Sequence, residues 1–193
     1  IQGGPETASS LLDLNWDYIF FTGSVNIGKI VATKAAKFLT PTTLELGGKN
    51  PCVVDQTALI KTTAKRIVWG KFINCGQTCI APDFIIVHKK IKNELLDEMI
   101  NQIKKLFGNN HKNSNSYGRI ISKKHLMYLK SLIKNEKILY GGEFDINEKF
   151  FEPTIVEIND LGSKVMEGEI FGPILPLYTY TDFNEVDKIV EKY

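Results

Sequence analysis

The hydrophobic and polar positions of this chain follow a strand period and a helix period in turn. The short apolar run over residues 17–22 predicts a buried strand, which ends at Gly23. Apolar residues at helical spacing follow from Ile27 to Phe38, until Pro41 stops the helix. Strands that alternate with helices of this kind predict an α/β fold with a largely parallel sheet. The later patterns predict strands at 42–46, 51–55, 84–88, 137–140, 151–158 and 175–180, and helices at 57–74, 91–107, 123–133 and 184–193.

Composition excludes several classes of protein. The 193 residues carry 24 Lys and Arg against 22 Asp and Glu, a net charge of +2, so no nucleic-acid partner is expected. The hydrophobic fraction of 43% and the charged fraction of 24% are typical of a folded globular domain. No apolar run approaches the roughly 20 residues that a membrane-spanning helix needs. Three cysteines are too few for a disulfide framework and indicate a reducing compartment, so we expect a cytoplasmic protein.

The first segment that could carry chemistry runs from a strand through Gly23 into a helix. A helix N-terminus in that position presents free backbone N–H groups to a phosphate. The run from Gly23 to Lys29 matches a nucleotide-hydrolase P-loop, but the next position, where that motif needs a hydroxyl for Mg²⁺, is Ile30. A dinucleotide fingerprint needs three glycines, and this segment has only Gly23 and Gly28. A plain strand–turn–helix connection with Ser24 as N-cap is the open alternative.

The second segment, residues 74–80, contains two of the three cysteines. Cys79 lies in a predicted loop, where nearby backbone N–H groups favour the thiolate that a nucleophile requires. Cys75 falls at the end of a predicted apolar helix, which indicates a structural residue. A metal site is not expected, because zinc needs four ligands and the three histidines are scattered. Since free cysteines are also common as small buried apolar residues, this segment alone leaves the role of Cys79 open.

Two acidic segments complete the set of candidates. Glu45 is flanked by leucines and followed by two glycines, so we expect partial burial, which would raise its pKa toward that of a general base. A solvent-exposed glutamate on an edge strand is the alternative. Glu169 and Phe171 lie two residues apart on a segment expected to be extended, so their side chains should face the same way. They could hold a ribose and a flat ring, or form a turn before the next strand.

In this order, the four segments resemble the motif series of the aldehyde dehydrogenases. The separations of 34 residues from Glu45 to Cys79 and of 90 residues from Cys79 to Glu169 are similar to those of the class 3 branch, which includes fatty-aldehyde enzymes. The resemblance covers nearly all of the chain. The matching motifs are Phe21-Thr22-Gly23-Ser24 with Gly28, Leu44-Glu45-Leu46-Gly47-Gly48-Lys49, Gly76-Gln77-Thr78-Cys79, and Glu169-Ile170-Phe171-Gly172-Pro173.

The resemblance implies a role for each matching residue. Cys79 would attack the aldehyde to give a thiohemiacetal and then a thioester, with its own N–H helping to hold the oxyanion. Glu45 would activate the water that hydrolyses the thioester. The cofactor would be NAD or NADP, and no metal would be needed. The cofactor contacts would be Gly23, Ser24 and Gly28 at the pyrophosphate, Ile27 at the adenine, Glu169 at the nicotinamide ribose, and Leu46 and Phe171 at the nicotinamide ring.

The resemblance also implies a domain organisation. Residues 1–47 would form the C-terminal part of a Rossmann-type NAD(P)-binding domain, and residues 48–193 an α/β catalytic domain. Because the chain opens without Met and stops inside a predicted helix, we expect an internal piece of a longer protein, inactive by itself. The full-length protein is expected to be a homodimer that oxidises a medium- or long-chain aliphatic or an aromatic aldehyde. A C-terminal membrane anchor and the choice between NAD and NADP stay open.

Two other functions stay open at this point. A truncated or catalytically silent homologue would act as a binding or structural protein. A hydrolase would use Cys79 and Glu45 without any cofactor, although the motifs around Ser24 and Glu169 speak against it.

Overall fold

The computed structural model describes residues 1–193. The chain folds into two compact units, Ile1–Gly47 and Gly48–Tyr193. The assignment of a cofactor to the first unit and of a reactive thiol to the second stays a prediction.

The first unit is a strand–helix–strand arrangement preceded by one short helix. Its two strands pair in parallel, with Ile19 opposite Thr42 and Gly23 opposite Leu46, so the intervening helix is the crossover that parallel strands require. The short first helix buries no residue, and its lack of an apolar face is why its sequence did not predict it. The elements are α1 (Pro5–Leu11), β1 (Ile19–Gly23), α2 (Val25–Ala36) and β2 (Thr42–Leu46).

The second unit is built on a five-stranded sheet with the strand order β3-β4-β9-β8-β5. The first four strands are parallel and β5 is antiparallel to β8, which confirms the predicted α/β class with a largely parallel sheet. Strands β6 and β7 form a separate antiparallel pair. The elements are β3 (Pro51–Val54), α3 (Ile60–Phe72), β4 (Phe84–His88), α4 (Lys92–Phe107), α5 (Lys123–Leu132), β5 (Lys137–Tyr140), β6 (Phe144–Asp145), β7 (Phe150–Phe151), β8 (Thr154–Ile158), β9 (Ile174–Tyr180) and α6 (Phe183–Lys192).

The core of the second unit lies between the sheet and its helices. All five residues of β4 are buried, as expected of a parallel strand covered on both faces. In α4 the buried residues Leu95, Met99, Ile103 and Phe107 recur every four positions, so one face of this helix packs inward. Although α4 is the longest helix at 16 residues, neither it nor any other has the length and apolar composition needed to cross a membrane.

Local polar contacts and proline explain where the predicted bounds differ. The helix expected at 57–74 begins only at Ile60, because Asp55 accepts hydrogen bonds from the N–H and the hydroxyl of Thr57 and forms a turn there. The strand expected at 151–158 is divided into β7 and β8 at Pro153, which has no N–H for the ladder.

Candidate active site

Cys79 lies on an exposed turn between α3 and β4. The N–H of Ala81 donates to the carbonyl of Thr78 at 3.1 Å, which closes a four-residue turn with Cys79 and Ile80 at its centre. Cys79 is exposed, and the Ile80 beside it is 83% exposed. The structure therefore presents this cysteine at the surface, as a nucleophile requires, and does not bury it as a core residue.

The backbone leading to this turn has an unusual conformation. Asn74, Cys75 and Gly76 have φ values of 51°, 54° and 70° in succession. For the two residues that carry a Cβ, such left-handed conformations cost about 1–3 kcal/mol each and persist only where the surroundings enforce them. At position 76 the surroundings are the backbone of Gly172, whose carbonyl oxygen a Cβ would overlap. The thiol segment is thereby brought against the segment that carries Glu169.

Gln77 fixes the end of the strained stretch. Its side-chain nitrogen donates to the carbonyls of Asn74 at 3.1 Å and Arg119 at 3.0 Å. Its side-chain oxygen accepts from the N–H of Ile121 at 2.9 Å. Both polar atoms of the amide are thus bonded to the backbone. The Gln77 side chain therefore connects the residues that precede Cys79 to the loop before α5.

Cys75 differs from Cys79 in burial and in chemistry. Only 1% of its surface is exposed, and burial raises the pKa of its thiol to about 11, against the smaller opposing effects of Tyr117 and Arg119. A thiol in this state stays protonated at neutral pH and is unreactive. The structural interpretation of Cys75 agrees with this environment.

The segment that carries Glu169 is partly buried and bends at Phe171. Glu169 is partly buried, and its pKa is raised by burial and by Asp83, while Lys71, Lys49 and the N–H of Gly48 act in the opposite direction. The expectation of an extended segment is wrong at Phe171, whose φ of 51° turns the chain. The common orientation of the Glu169 and Phe171 side chains stays a prediction. The carbonyl of Phe171 meets Nε2 of His125 at 2.7 Å, a contact with α5 that nothing in the local sequence indicates.

A buried charge cluster lies next to the segment that carries Glu169. Its members are Lys49, Asp83 and Lys71. Lys49 Nζ is 2.6 Å from Asp83 Oδ2, and Lys71 Nζ is 3.7 Å from Asp83 Oδ1. The Asp83 carboxylate also accepts from the N–H of Ile170 at 3.2 and 3.3 Å. Sequence reasoning missed this cluster. The signal that could have found it is Lys71, which lies on the apolar face of α3 beside Ile67 and Val68.

The predicted phosphate-binding residues lie in the first unit, at the start of α2. Ser24 is the N-cap of α2, and its hydroxyl accepts from the N–H of Ile27 at 3.4 Å. Gly28 is buried, and a Cβ there would lie 2.7 Å from a methyl group of Leu46. Gly28 therefore lets α2 pack closely on β2, which serves the fold of this unit whether or not a phosphate binds. Ile27 remains 47% exposed.

Glu45 is exposed on β2, so the expectation of partial burial is wrong within this unit. The physical reason is the alternation of a strand. Because neighbouring residues point to opposite faces, Leu44 and Leu46 cover the face away from Glu45 and do not bury it. The carboxylate is accessible to water, and the exposed alternative that the sequence left open describes its state in this unit.

The three histidines occupy separate positions in the second unit. His88 Nδ1 accepts from the N–H of Lys90 at 3.2 Å, and His111 Nδ1 lies 3.0 Å from Glu152. No group of three or more His, Cys, Asp or Glu side chains is arranged to hold a metal ion.

Comparisons with known proteins place these features in one family. The family profile described as "Aldehyde dehydrogenase family" matches residues 1–192. The chain is 49% identical over 190 residues to "Aldehyde dehydrogenase family 3 comG" of Dictyostelium discoideum, covering 98% of this chain and 40% of that protein. It is 41% identical over 192 residues to "Aldehyde dehydrogenase, dimeric NADP-preferring" of Rattus norvegicus, covering all of this chain and 42% of the relative.

A solved structure gives the same result. The substrate-bound state of Staphylococcus aureus AldH matches with a TM-score of 0.96 and 43% identity, over 100% of this chain and 42% of that one. The chain thus spans about two fifths of the length of the relatives it matches. On the profile match and these similarities, the chain belongs to the aldehyde dehydrogenase family.

Proposed function

We propose that the full-length protein oxidises aldehydes to carboxylic acids with NAD or NADP, and that this chain contributes its nucleophile, its general base and part of its cofactor site. The observation that carries the proposal is the exposed Cys79 on a turn whose neighbouring backbone is anchored against the segment of Glu169. Membership of the aldehyde dehydrogenase family supports the reaction type. The assignment of each residue below is part of the proposal.

Cys79 is the nucleophile. Its thiolate adds to the carbonyl carbon of the aldehyde, so that a C–S bond forms and the oxygen takes the negative charge. The backbone N–H of Cys79 donates a hydrogen bond to that oxygen. Oxidation of this carbon leaves a thioester on Cys79.

Glu45 is the general base of the second half of the reaction. Its carboxylate takes a proton from a water molecule, which attacks the thioester carbon. The C–S bond then breaks, and the acid leaves while Cys79 recovers its thiol. The exposure of Glu45 supports this role in one respect, since a base for water must be open to water.

The residues present fit a nicotinamide dinucleotide. When bound, this group supplies the acceptor for the hydride that the aldehyde carbon loses. Helix α2 starts immediately after Ser24, so its N-terminal N–H groups suit a pyrophosphate, with Gly23 and Gly28 around it and Ile27 beside the adenine. The partly buried carboxylate of Glu169 can accept hydrogen bonds from ribose hydroxyls, and Phe171 is 36% exposed. Leu46 completes the contacts on the nicotinamide side.

The wider organisation follows from the same proposal. Residues 1–47 form the end of the cofactor domain and residues 48–193 most of the catalytic domain. The substrates are medium- or long-chain aliphatic or aromatic aldehydes, by similarity to the class 3 branch. The rat relative is called dimeric and NADP-preferring, which supports a homodimer and admits NADP as cofactor. An exposed free thiol at Cys79 suits the reducing cytoplasm.

The test is absorbance at the reduced-nicotinamide band. The full-length protein is assayed with a panel of aldehydes and with NAD⁺ or NADP⁺, beside Cys79→Ser and Cys52→Ser variants. We expect signal in the wild type and in Cys52→Ser, whose partly buried thiol is assigned no step of the proposed reaction, and none in Cys79→Ser. A folded wild type that gives no signal with any aldehyde overturns the proposal.

A further inference from the structure

We propose that the adjacent residues Lys49 and Asn50 form a positioning pair that holds the turn of Cys79 and the segment of Glu169 in register with each other. This inference rests on the function proposed above and adds two residues that act through their contacts with the protein backbone and with Asp83. The turn of residues 78–81 is called the thiol turn, and residues 165–171 are called the acidic segment.

Asn50 holds the thiol turn. Its side-chain Nδ2 donates to the carbonyl of Cys79 at 2.8 Å and to the carbonyl of Ala81 at 3.1 Å. The amide nitrogen has two hydrogens, and each has its own acceptor. Because the two carbonyls lie on either side of Ile80, the peptide planes around the turn are fixed, and with them the direction in which the thiol leaves the backbone.

Lys49 holds the acidic segment. Its Nζ donates to the carbonyl of Val165 at 2.6 Å and of Gly168 at 3.0 Å, and it pairs with Asp83 at 2.6 Å. Three ammonium hydrogens thus meet three acceptors, with only 9% of the residue exposed. Asp83 in turn accepts from the N–H of Ile170. The backbone is clamped on both sides of Glu169.

Asp83 connects the contacts of Asn50 with the thiol turn to the contacts of Lys49 with the acidic segment. Its backbone N–H donates to the carbonyl of Asn50 at 2.8 Å, while its carboxylate binds Lys49. Lys49 and Asn50 immediately precede β3, which pairs in parallel with β4, the strand that follows Asp83. Both sets of contacts therefore start at the same edge of the sheet, where β3 pairs with β4. A displacement of that edge would move the nucleophile and the ribose-binding carboxylate together.

Two assays that do not need turnover separate the halves of the pair. The first is the rate at which iodoacetamide alkylates Cys79 at pH 7, followed by mass spectrometry without nucleotide. The second is the dissociation constant for reduced nicotinamide dinucleotide, followed by fluorescence. Both use the full-length protein, and kcat and KM with an aldehyde are measured beside them.

Each of two variants is expected to change the result of one assay and to leave the other unchanged. Asn50→Ser should slow alkylation and kcat about tenfold, the size of a lost buried hydrogen bond, with nucleotide affinity within twofold of the wild type. Lys49→Met should weaken nucleotide binding about tenfold or more and leave alkylation within twofold. The surface substitutions Asn115→Ser and Lys90→Met are matched controls that should change neither.

Further variants separate the hydrogen bonds from simple packing. Asn50→Asp keeps the side-chain volume but loses both donors, so it should match or exceed the loss in Asn50→Ser. Lys49→Gln keeps an N–H donor and should bind nucleotide between the wild type and Lys49→Met. It also replaces Lys49→Met as the test if that variant does not fold.

Two outcomes overturn the positioning pair. Parallel losses in both assays, in proportion to the fall in unfolding temperature, would show a purely structural role. Wild-type behaviour of Asn50→Asp and Lys49→Gln in both assays would show no role in positioning. A wild type that binds no nucleotide would overturn the proposed function and the Lys49 half with it, while alkylation would still decide the Asn50 half.

Discussion

Gly76 approaches Gly172 so closely that a Cβ at position 76 would overlap the carbonyl oxygen of Gly172. The first glycine lies three residues before Cys79 and the second three residues after Glu169. A contact of backbone on backbone therefore sets the spacing between two segments that are distant in the chain. Because the φ of Gly76 is also 70°, both space and conformation require glycine at this position.

Gly76→Ala should destabilise the protein. The new methyl group would meet Gly172 and would occupy a left-handed conformation, so we expect the free energy of unfolding to fall by about 3 kcal/mol. Urea unfolding followed by circular dichroism measures the change. The matched control is Gly168→Ala, because a Cβ at Gly168 meets nothing within 4 Å. Equal losses in the two variants would contradict the argument from the Gly172 contact.

Iodoacetamide at pH 8 should label Cys79 far faster than Cys75. Cys79 is exposed, whereas Cys75 is buried with a thiol pKa of about 11, so only about one Cys75 thiol in a thousand is ionised at pH 8. Mass spectrometry of tryptic peptides after timed quenching measures the two rates. In urea both cysteines should be labelled at similar rates. Comparable labelling in the folded state would contradict the assigned environments.

The elements that could be predicted are those with a clear period. The apolar residues of α4 recur every four positions, and β4 is a run of five buried residues, so the bounds of both agree closely with the predictions. Strand β6, and with it the hairpin that it forms with β7, was missed because a strand of two residues has no period to detect.

The candidate site was predictable as motifs but not as geometry. The bend at Phe171 accompanies a contact with His125, which is 46 residues away in the chain. The charge cluster joins Lys49 to Asp83 through contacts that no local pattern contains. Glu45 shows a different failure, since its flanking leucines point away from it on the strand. The spacing of motifs does not show which residues distant in the sequence will be in contact. Nor does it show which face of a strand will be exposed.

Glu45→Gln should separate the two halves of the proposed reaction. The amide cannot take a proton from water, so thioester hydrolysis should slow by about a hundredfold or more, while formation of the thioester is preserved. Stopped-flow absorbance should show one equivalent of reduced cofactor per site, followed by slow turnover. Glu94→Gln, an exposed glutamate on α4, is the control and should turn over as the wild type does. Normal steady-state turnover in Glu45→Gln would remove this residue from the role of base.

Lys71 should make the stability of the protein depend on pH above neutrality. Its Nζ is fully buried without a hydrogen-bond partner, and burial lowers its pKa to about 8 against the opposing pull of Asp83. In the unfolded chain a lysine holds its proton to about pH 10.4, so between these values the unfolded state binds more protons and the free energy of unfolding rises with pH, by up to about 3 kcal/mol. Lys71→Met should lose this rise, whereas Lys90→Met, an exposed lysine, should keep it. Urea unfolding from pH 7 to pH 10 measures the difference, and parallel curves for the wild type and Lys71→Met would show that Lys71 does not lose its proton in this range.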